Sequence, residues 1–306
     1  MSCTKQNFID LNYTKKNFFF INPKIRFHTK KTKIGNFGIN YSYQNNLPQT
    51  RYLTENFILT NYRTFNRGTN DIQQINNHSF GFFYTFNNYK QQFLINSFLL
   101  HSLADKSYGL NSRITERTNF NQYQIIDGGK LTSYNLSITR YLKALSSTLK
   151  VSTQQSWSNN PIILNNTISE VINYNANYRT QGTTYFKLPV NFKFGFQYNY
   201  SRGEFDNQIS TNEFLEWNLD AILKFSDQWL FKLENNYYSI NENHYWFINT
   251  NLNYNPEKSR FSYRLSANNL TNITEFRDIF ISEFQRNETN FRVIPRYILL
   301  YIKYRF

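Results

Sequence analysis

The sequence predicts an all-β protein, namely an antiparallel β-barrel of about 14 strands that spans a membrane. Three observations support this fold class. The last strand alternates apolar and polar residues without a break, several earlier segments do the same, and the chain is rich in aromatic residues although its mean hydropathy is −0.63. Strands with lipid on one side and water on the other reconcile a polar average with 19% aromatic residues.

The C-terminal segment PRYILLYIKYRF shows the alternation most clearly. Because successive side chains of a strand point to opposite faces, one face is wholly apolar and the other is mixed and basic. A strand of roughly ten residues crosses a bilayer when it is tilted. The segment resembles the closing strand of bacterial outer-membrane barrels, whose C-terminal aromatic residue is recognised by the barrel assembly machinery. The predicted membrane-assembly signal comprises Ile298, Leu300, Ile302, Tyr304 and Phe306.

Segments further upstream repeat this alternation. The stretch 186–200 has an apolar or aromatic residue at every second position, and Pro189 within it indicates a bulge or a strand end. Residues 215–225, 245–254 and 261–267 alternate in the same way. Aromatic residues bound several of these faces, which is typical of a lipid-facing surface. The predicted outward residues include Phe192, Phe194, Phe196, Trp217, Leu219, Trp246, Leu252, Tyr263 and Leu265.

The connections between these segments predict which end of the barrel faces outward. Counted back from the C-terminus, long polar connections at 158–166, 202–212 and 271–290 alternate with short ones near 143, 181, 226 and 255. Outer-membrane barrels have long extracellular loops and short periplasmic turns. A short connection near 241 departs from this rule, and residues 103–126 fit either one long strand or a hairpin. No Pro, Gly or Ser-rich linker divides the chain, so we treat residues 1–306 as one barrel domain.

The composition argues against several other classes of protein. No segment has the roughly 18 consecutive apolar residues of a membrane-spanning helix, and the abundance of aromatic residues argues against disorder. The net charge of +14 permits an alternative, a soluble basic nucleic-acid-binding protein. However, the positive charges are scattered along the chain rather than concentrated in one patch, so we predict no nucleic-acid partner.

The residues that usually carry catalysis or metal binding are sparse. Cys3 is the single cysteine, which excludes an intrachain disulfide. No Gly-rich phosphate loop or nucleophile elbow is present, so we predict no enzyme, catalytic residue or cofactor. Glu216 and Asp220 share one face of a strand, which a hydrated lumen explains without catalysis. Metal-ligand spacing is absent among His28, His78, His101 and His244, so we predict no metal site.

Two stretches carry a family resemblance. SANNLTNITEF contains Asn269, Leu270, Thr271 and Asn272, and the last strand opens at Pro295 and Arg296 and ends in phenylalanine. This arrangement resembles the two C-terminal strands of TonB-dependent outer-membrane receptors of the Bacteroidota type. NLPQTRYLTENFILTNYRTFNRGTN, residues 46–70, looks like a long external loop of the same group. With the spacing of the intervening strands, the resemblance covers most of the chain.

The resemblance implies a function for the complete receptor. Such receptors have a signal peptide, a TonB box, a plug domain and a barrel of about 22 strands. No segment here matches the first three, so this chain corresponds to the C-terminal portion of the receptor barrel. The N-terminus lacks the apolar core of a signal peptide. The chain is therefore the downstream part of a longer or split reading frame, or the barrel prediction is wrong.

The implied activity is ligand uptake across the cell outer membrane, with a siderophore, metal complex, glycan or peptide as the ligand. The implied partners are outer-membrane lipid and lipopolysaccharide, the barrel assembly machinery, and the plug domain and TonB of the complete receptor. The alternative membrane protein is a free-standing porin-like outer-membrane channel, since a complete barrel of about 14 strands fits this length.

Two sets of residues are candidate ligand contacts. Inward-facing basic residues would attract an anionic ligand, or they would pair with carboxylates of a plug and with Glu216 or Asp220. This lumen-facing basic set comprises Lys187, Lys193, Lys224, Arg260, Arg264, Lys303 and Arg305. Aromatic and cationic residues of the segment 50–70 would contact ligand at the mouth or form an ordered rim. These loop residues are Tyr52, Tyr62, Arg63, Phe65 and Arg67.

Overall fold

A computed structural model describes residues 2–9, 15–30, 32–281 and 286–306. The first strands are β1 Ser2–Ile9, β2 Lys15–Asn22, β3 Lys24–His28, β4 Asn36–Asn46, β5 Ile58–Asn61, β6 Thr64–Arg67, β7 Ile75–Asn88, β8 Phe93–Ala104, β9 Lys106–Ile114, β10 Asn119–Asp127 and β11 Lys130–Leu142. They are followed by β12 Ser147–Leu164, β13 Thr167–Thr184, β14 Val190–Phe205, β15 Gln208–Lys224, β16 Trp229–Ile240, β17 Asn243–Tyr254, β18 Phe261–Asn268, β19 Glu275–Ile281, β20 Arg286–Arg292 and β21 Tyr297–Tyr304. Single 3-10 turns lie at Thr50–Tyr52 and Lys143–Leu145.

Thirteen of the described strands form one antiparallel series, which we call the barrel wall. Neighbours pair in the order β3, β4, β7, β8, β11, β12, β13, β14, β15, β16, β17, β18 and β21. The prediction of an all-β antiparallel barrel is confirmed, with a strand number close to the expected one. Strands β3 and β21 stand at the two ends of this series. The described residues contain no helix that is both long and apolar enough to cross a membrane.

A long two-stranded ribbon joins β8 and β9 to β10 and β11. Strand β8 pairs with β11, and β9 pairs with β10, so residues 103–126 form a hairpin that turns at 115–118. The ribbon bends where Ala104 donates its amide to Gly129 O at 3.0 Å and Gly128 donates to Asp105 O at 3.0 Å. A Cβ on Gly128 would lie 1.9 Å from Ala104 O. The bend therefore requires glycine at that position.

At this bend the two strands of the ribbon exchange their positions relative to β12. On one side of the bend, β11 is the neighbour of β12 and runs antiparallel to it. On the other side, β9 takes that place and runs parallel to β12, with Asn111 opposite Ile163. Strand β10 pairs in parallel with β6, which forms a hairpin with β5. A twisted two-stranded ribbon can exchange its edges in this way because sheet twist is largest in isolated ribbons.

Tight turns replace two of the predicted long loops. Residues 158–164 belong to β12, and residues 202–205 and 208–212 belong to β14 and β15. The turns are Asn165–Asn166, with φ of 50° and 65°, and Asp206–Asn207, with φ of 45° and 64°. Positive φ at both central residues defines the type I′ turn, which asparagine and aspartate tolerate. The expected loops 158–166 and 202–212 were wrong because polar residues here continue a strand instead of ending it.

We call the end with these turns the upper end, and the projecting part the upper wall. The upper wall comprises β5, β6, β9, β10 and residues 158–173 and 201–212. The third predicted long loop, 271–290, contains the hairpin of β19 and β20. Strands β1 and β2 pair separately from the series. Asn45 of β4 donates its Nδ2 to Ile21 O at 2.9 Å, which attaches β2 to the barrel wall.

The barrel wall has one polar face and one mainly apolar face, which we call the aromatic face because aromatic residues lie at its limits. On β12 the aromatic face extends over 149–157, and on β17 over 246–254. At 3.3 Å per residue each span measures about 26 Å along the strand. Aromatic pairs lie at both limits of this face: Trp157 and Tyr174 with ring centroids 5.3 Å apart, Trp217 and Tyr237 at 5.6 Å, and Trp229 and Tyr254 at 4.3 Å.

The upper aromatic row predicts how far the strands would tilt in a membrane. Following the register from Trp246 through β16, β15, β14 and β13 leads to Val151 on β12, six residues before Trp157. Between Trp246 and Trp157 the row therefore shifts by about 20 Å along the strand direction over about 24 Å perpendicular to the strands. A level belt on such a surface requires a strand tilt of about 40°, which is typical of barrels.

Candidate ligand site at the upper end of the polar face

A pocket of about 600 Å³ lies on the polar face of β12 to β15 near the upper end. Two successive cross-strand rows form it, because the register aligns polar residues of four neighbouring strands. One row is Ser156, Asn175, Ser201 and Asn212, and the other is Gln154, Asn177, Asn199 and Phe214. Ile240, opposite Phe214, closes one side. We call this site the amide pocket.

Hydrogen bonds hold part of the amide pocket in place. Asn177 donates its Nδ2 to Asn199 Oδ1, and Gln197 donates to the same oxygen at 3.3 Å. The backbone amide of Glu213 donates to Asn241 Oδ1 at 2.9 Å. Within the part of the chain that the structure describes, four pocket side chains make no hydrogen bond to protein: Gln154, Ser156, Asn175 and Ser201.

Charged residues occupy the polar face below the amide pocket. Lys232 Nζ lies 3.3 Å from Asp220 Oδ2 and also bonds Glu234. The Asp220 side chain is only 16% exposed, so this pairing offsets the cost of removing its charge from water. Lys193 is the cross-strand partner of Asp220. The sequence-based basic set omitted Lys232, although the alternation of β16 assigns it to the polar face together with Glu234 and Tyr238.

The predicted lumen-facing basic residues are spread over this lower region. Lys224 bonds Asp227 at 2.6 Å across the turn between β15 and β16. The hydrogen bond and the charge of Lys224 hold the pKa of the Asp227 carboxyl below its usual range. Arg264 donates its Nε to Asn253 Oδ1 at 2.7 Å. In these contacts the cations bond to other residues of the chain. Their binding to a ligand stays a prediction.

The remaining members of the basic set flank strands or lie at the end of the series. Lys187 is in the connection 185–189 between β13 and β14, and Arg260 precedes β18 and donates to the Tyr304 hydroxyl at 3.1 Å. Lys303 is on β21 opposite Ser262, and Arg305 follows that strand. The structure therefore does not bring the seven residues together into one cluster.

A second pocket of about 500 Å³ lies in the upper wall. Its lining combines two aromatic rings, one guanidinium and four uncharged polar side chains: Phe57, Phe120, Arg113, Asn111, Thr115, Gln122 and Asn166. Phe65 stacks on Phe120 at 5.1 Å, and the Arg67 guanidinium lies 5.7 Å from the Phe57 ring. Asn111 donates its Nδ2 to Asn166 at 3.0 Å, whereas its buried Oδ1 has no partner among the described residues. We call this site the arginine pocket.

The predicted loop contacts separate into two groups. Phe65 and Arg67 are on β6 beside the arginine pocket. Arg63 lies over the Tyr62 ring at 4.7 Å in the turn between β5 and β6. Tyr52 packs on the other face of the β9 and β10 hairpin, with ring centroids 5.5 Å from Tyr108 and 4.6 Å from Tyr123. The position of Tyr52 is that of a packing residue of the rim.

Tyr108 anchors the segment before β7 to this hairpin. The amide of Gln73 donates to the Tyr108 hydroxyl at 2.9 Å, and the hydroxyl donates to Asp71 O at 3.0 Å. Burial raises the pKa of the Tyr108 hydroxyl, so it stays neutral and able to donate at physiological pH.

The hairpin of β19 and β20 leans on the polar face next to the amide pocket. Arg277 donates its amide to the Tyr245 hydroxyl at 2.8 Å, and Phe276 lies 4.7 Å from the Tyr245 ring. Arg277 also pairs with Glu288 of β20 at 3.2 Å. Phe276 is 6.3 Å from Tyr238, whose ring is 6.3 Å from Phe214 of the amide pocket. This hairpin therefore borders the approach to the pocket.

The predicted assembly signal forms one face of β21. Ile298, Leu300 and Ile302 are 66%, 63% and 60% exposed, and Leu300 lies opposite Leu265. Tyr304 shares this face, and Phe306 follows the strand. By comparison, Leu219 in the middle of the series is 41% exposed. Strand β3, at the other end of the series, is exposed along its whole length.

The sequence itself carries a signal for the amide pocket. Asn173, Asn175 and Asn177 recur at every second position of β13, which places three amides on one face. The expectation of loops at 158–166 and 202–212 concealed their alignment with β12 and β15. The described residues contain no group of three or more His, Cys, Asp or Glu side chains that could hold a metal ion.

Comparisons with known proteins concern the architecture. No protein-family model matches the chain, and no curated protein has a similar sequence. The chain is similar to the ferric yersiniabactin uptake receptor FyuA from Yersinia pestis, with a TM-score of 0.43 and 10% identity over 93% of this chain and 50% of that chain. It thus spans half the length of that receptor. The P. putida toluene transporter TodX gives a TM-score of 0.28 and 8% identity over 96% of this chain and 86% of that chain.

Proposed function

We propose that the chain is the C-terminal part of a TonB-dependent receptor barrel of the Bacteroidota type that takes up a ligand across the outer membrane. The observation that carries this proposal is the mainly apolar outer face of the barrel wall, bounded above and below by aromatic pairs. A span of about 26 Å on strands tilted by about 40° covers about 20 Å of membrane depth. This value is close to the apolar band of outer-membrane barrels, which is about 25 Å tall.

The change in the outer surface above the aromatic row supports the same orientation. Beyond Trp157 charged residues join the outward side chains and bond to polar neighbours. Asn159 donates to Glu170 at 2.9 Å, and Arg202 pairs with Glu204 at 3.2 Å. Charged side chains on a lipid face would be costly, whereas they are ordinary in water. The upper wall therefore extends into the medium, and the amide pocket opens at its base.

The exposure of β3 and β21 favours the receptor over a free-standing porin-like channel. Both strands are exposed on both faces, while inner strands of the series are shielded by two neighbours. Further strands pairing with these edges would complete a larger wall. In the complete receptor, the plug domain and TonB would supply gating and energy, and this part would supply the membrane wall and ligand contacts. Neither catalysis nor a cofactor is part of the proposal.

The proposal is tested by folding the purified chain into liposomes. We expect an inserted form that migrates faster on a gel before heating than after, and whose strands 147–157 and 213–224 resist protease. The upper wall should be cleaved from one side of the membrane. A chain that remains soluble and fully cleaved would contradict the membrane assignment. A steady open conductance would contradict the receptor assignment and favour the porin-like channel.

A further inference from the structure

We propose that the amide pocket binds a neutral polyhydroxylated ligand, a segment of an uncharged oligosaccharide. This inference rests on the proposed function, because it assigns a ligand class to the outer mouth of the barrel. It differs from the expectation of an anionic ligand, which the basic residues in the sequence suggested.

The two rows that form the amide pocket contain no ionised side chain. They consist of amides, hydroxyls and Phe214. Charge on this face begins with the next row, which contains Arg179 and Glu216. Glu213 borders the pocket through its backbone, and alternation directs its side chain to the opposite face together with Tyr200. An ionic ligand would lose water here without gaining a counter-charge, which is unfavourable.

The hydrogen-bonding groups match a ligand made of hydroxyls. An amide side chain both donates and accepts, and so does the hydroxyl of serine. A sugar hydroxyl needs both kinds of partner at once. Four side chains in the described pocket have this capacity unused: Gln154, Ser156, Asn175 and Ser201. They repeat at intervals set by the strand spacing and the two-residue period, about 4.8 Å and about 6.7 Å.

The pocket also has an apolar side of the right kind. Phe214 and the buried Ile240 face each other across β15 and β16, and Ile240 is only 6% exposed. The faces of sugar rings carry aliphatic hydrogens that pack against such a surface while their hydroxyls reach the amides. The volume of about 600 Å³ is in the range of sites for small molecules. Charge, hydrogen bonding and shape thus agree on one ligand class.

The arginine pocket supplies an internal contrast. Its lining includes Arg113, with Arg67 close by, so an anion entering there would find a cationic partner. If both pockets met the same charged ligand, the amide pocket would be expected to contain a cation as well. An Arg113→Gln variant is therefore the natural control for binding at the amide pocket.

The test uses full-length chain that has been folded in detergent and shown to be heat-modifiable on a gel. The probes are maltohexaose, cellohexaose, xylohexaose and mannohexaose as neutral oligosaccharides, and hexagalacturonate as the acidic one. Titration calorimetry is expected to detect at least one neutral probe. Since each lost hydrogen bond weakens binding by about three- to tenfold, the Gln154→Leu, Asn175→Leu double variant, which removes two of the four unused amides and hydroxyls, should lose at least tenfold in affinity.

Two controls make the result specific. Arg113→Gln changes the other pocket, and Asn218→Leu changes the polar face two rows lower, so both should bind the neutral probe as the unaltered chain does. Binding of hexagalacturonate alone, of no neutral probe, or with equal affinity by the double variant would overturn the inference. The gel test separates the two proposals. A chain that shows no heat-modifiable form contradicts the proposed membrane function before any sugar is added, whereas a heat-modifiable chain that fails to bind sugar contradicts only the ligand assignment.

Discussion

The barrel wall and the upper wall share strands β12 to β15 but differ in their outer faces. Strands β12 to β15 pass from one wall to the other without a break in register. In the barrel wall most of their outward residues are aliphatic, aromatic or uncharged, whereas above Trp157 they include Glu170, Arg202 and Glu204. The pairing of β12 with β13, β13 with β14 and β14 with β15 is antiparallel in both regions, so the solvent on the outer face accounts for the difference.

The walls also differ in how neighbours are arranged. The barrel wall is antiparallel throughout, while the upper wall contains the parallel contacts of β9 with β12 and of β6 with β10. A membrane-spanning sheet must satisfy every backbone group within its ladder. In water this requirement is weaker, because water can hydrogen-bond the backbone N–H and C=O groups that have no partner strand. Irregular pairing is therefore confined to the upper wall.

The largest expected effect comes from placing a charge on the lipid face. Leu219→Arg introduces a cation near the middle of the aromatic face of β15, and we expect a loss of about 2–4 kcal/mol of unfolding free energy in lipid vesicles. Ile209→Arg is the matched control, on the same face of the same strand but in the upper wall, and should cost about 0–1 kcal/mol. Urea unfolding monitored by circular dichroism measures both. Equal losses would mean that the aromatic face does not meet lipid.

A smaller effect is expected at the bend of the ribbon. Gly128→Ala places a Cβ 1.9 Å from the backbone oxygen of Ala104, so the backbone must move. We expect a loss of about 1–3 kcal/mol, together with faster hydrogen exchange in 106–127. Gly195→Ala is the control in the barrel wall, because its Cβ meets only the Asn218 side chain, which can rotate. If exchange in 106–127 is unchanged, the bend does not depend on this glycine.

The turn at the tip of the upper wall should be less sensitive. Asn207 has a φ of 64°, and Asn207→Val would force a β-branched residue into this conformation at a cost of about 1–2 kcal/mol. Asn207→Gly keeps the conformation accessible and should change the unfolding free energy little. The measurement is the unfolding midpoint in urea at constant slope. A valine variant as stable as the glycine variant would argue against a type I′ turn.

The smallest effect concerns the lower edge of the barrel wall. Lys224 lowers the pKa of Asp227, so the carboxylate's contribution to stability is present above its unfolded pKa and is lost as pH falls through the folded pKa. Lys224→Met should raise the pKa of Asp227 toward its ordinary value and reduce this acid dependence. An NMR titration of the Asp227 carboxyl measures the change. An unshifted titration would show that this exposed pair is not maintained in solution.

The fold class was predictable because a period of two is visible in sequence. The aromatic face at 192–200 and the last strand follow directly from that period. The connections were less predictable. Polar residues such as Asn159 and Asn160 were interpreted as loop, because composition alone cannot distinguish a solvated strand from a turn. Their pairing with Ile172 and Val171 of β13 shows that the strand continues.

The candidate site was harder to predict than the wall. A cross-strand row depends on register, and the register of β12 with β13 and of β14 with β15 is fixed by two-residue turns that composition alone does not locate. Single residues such as Lys193 could be assigned to a face, but their partners on neighbouring strands could not. For this reason the basic set was expected to act together, whereas the structure aligns Lys193 with Asp220 and gathers uncharged amides higher on the same face.

The four tryptophans allow the two boundaries of the aromatic face to be measured optically. Trp157, Trp217 and Trp246 follow the upper aromatic row, and Trp229 lies in the lower one. A chain that keeps only one indole, with phenylalanine at the other three positions, would report the depth of one boundary. In vesicles whose acyl chains carry bromine near the headgroup, all four emissions should be quenched strongly, and bromine near the bilayer centre should quench all four weakly. The native residues therefore serve as a fluorescent depth gauge without any added label.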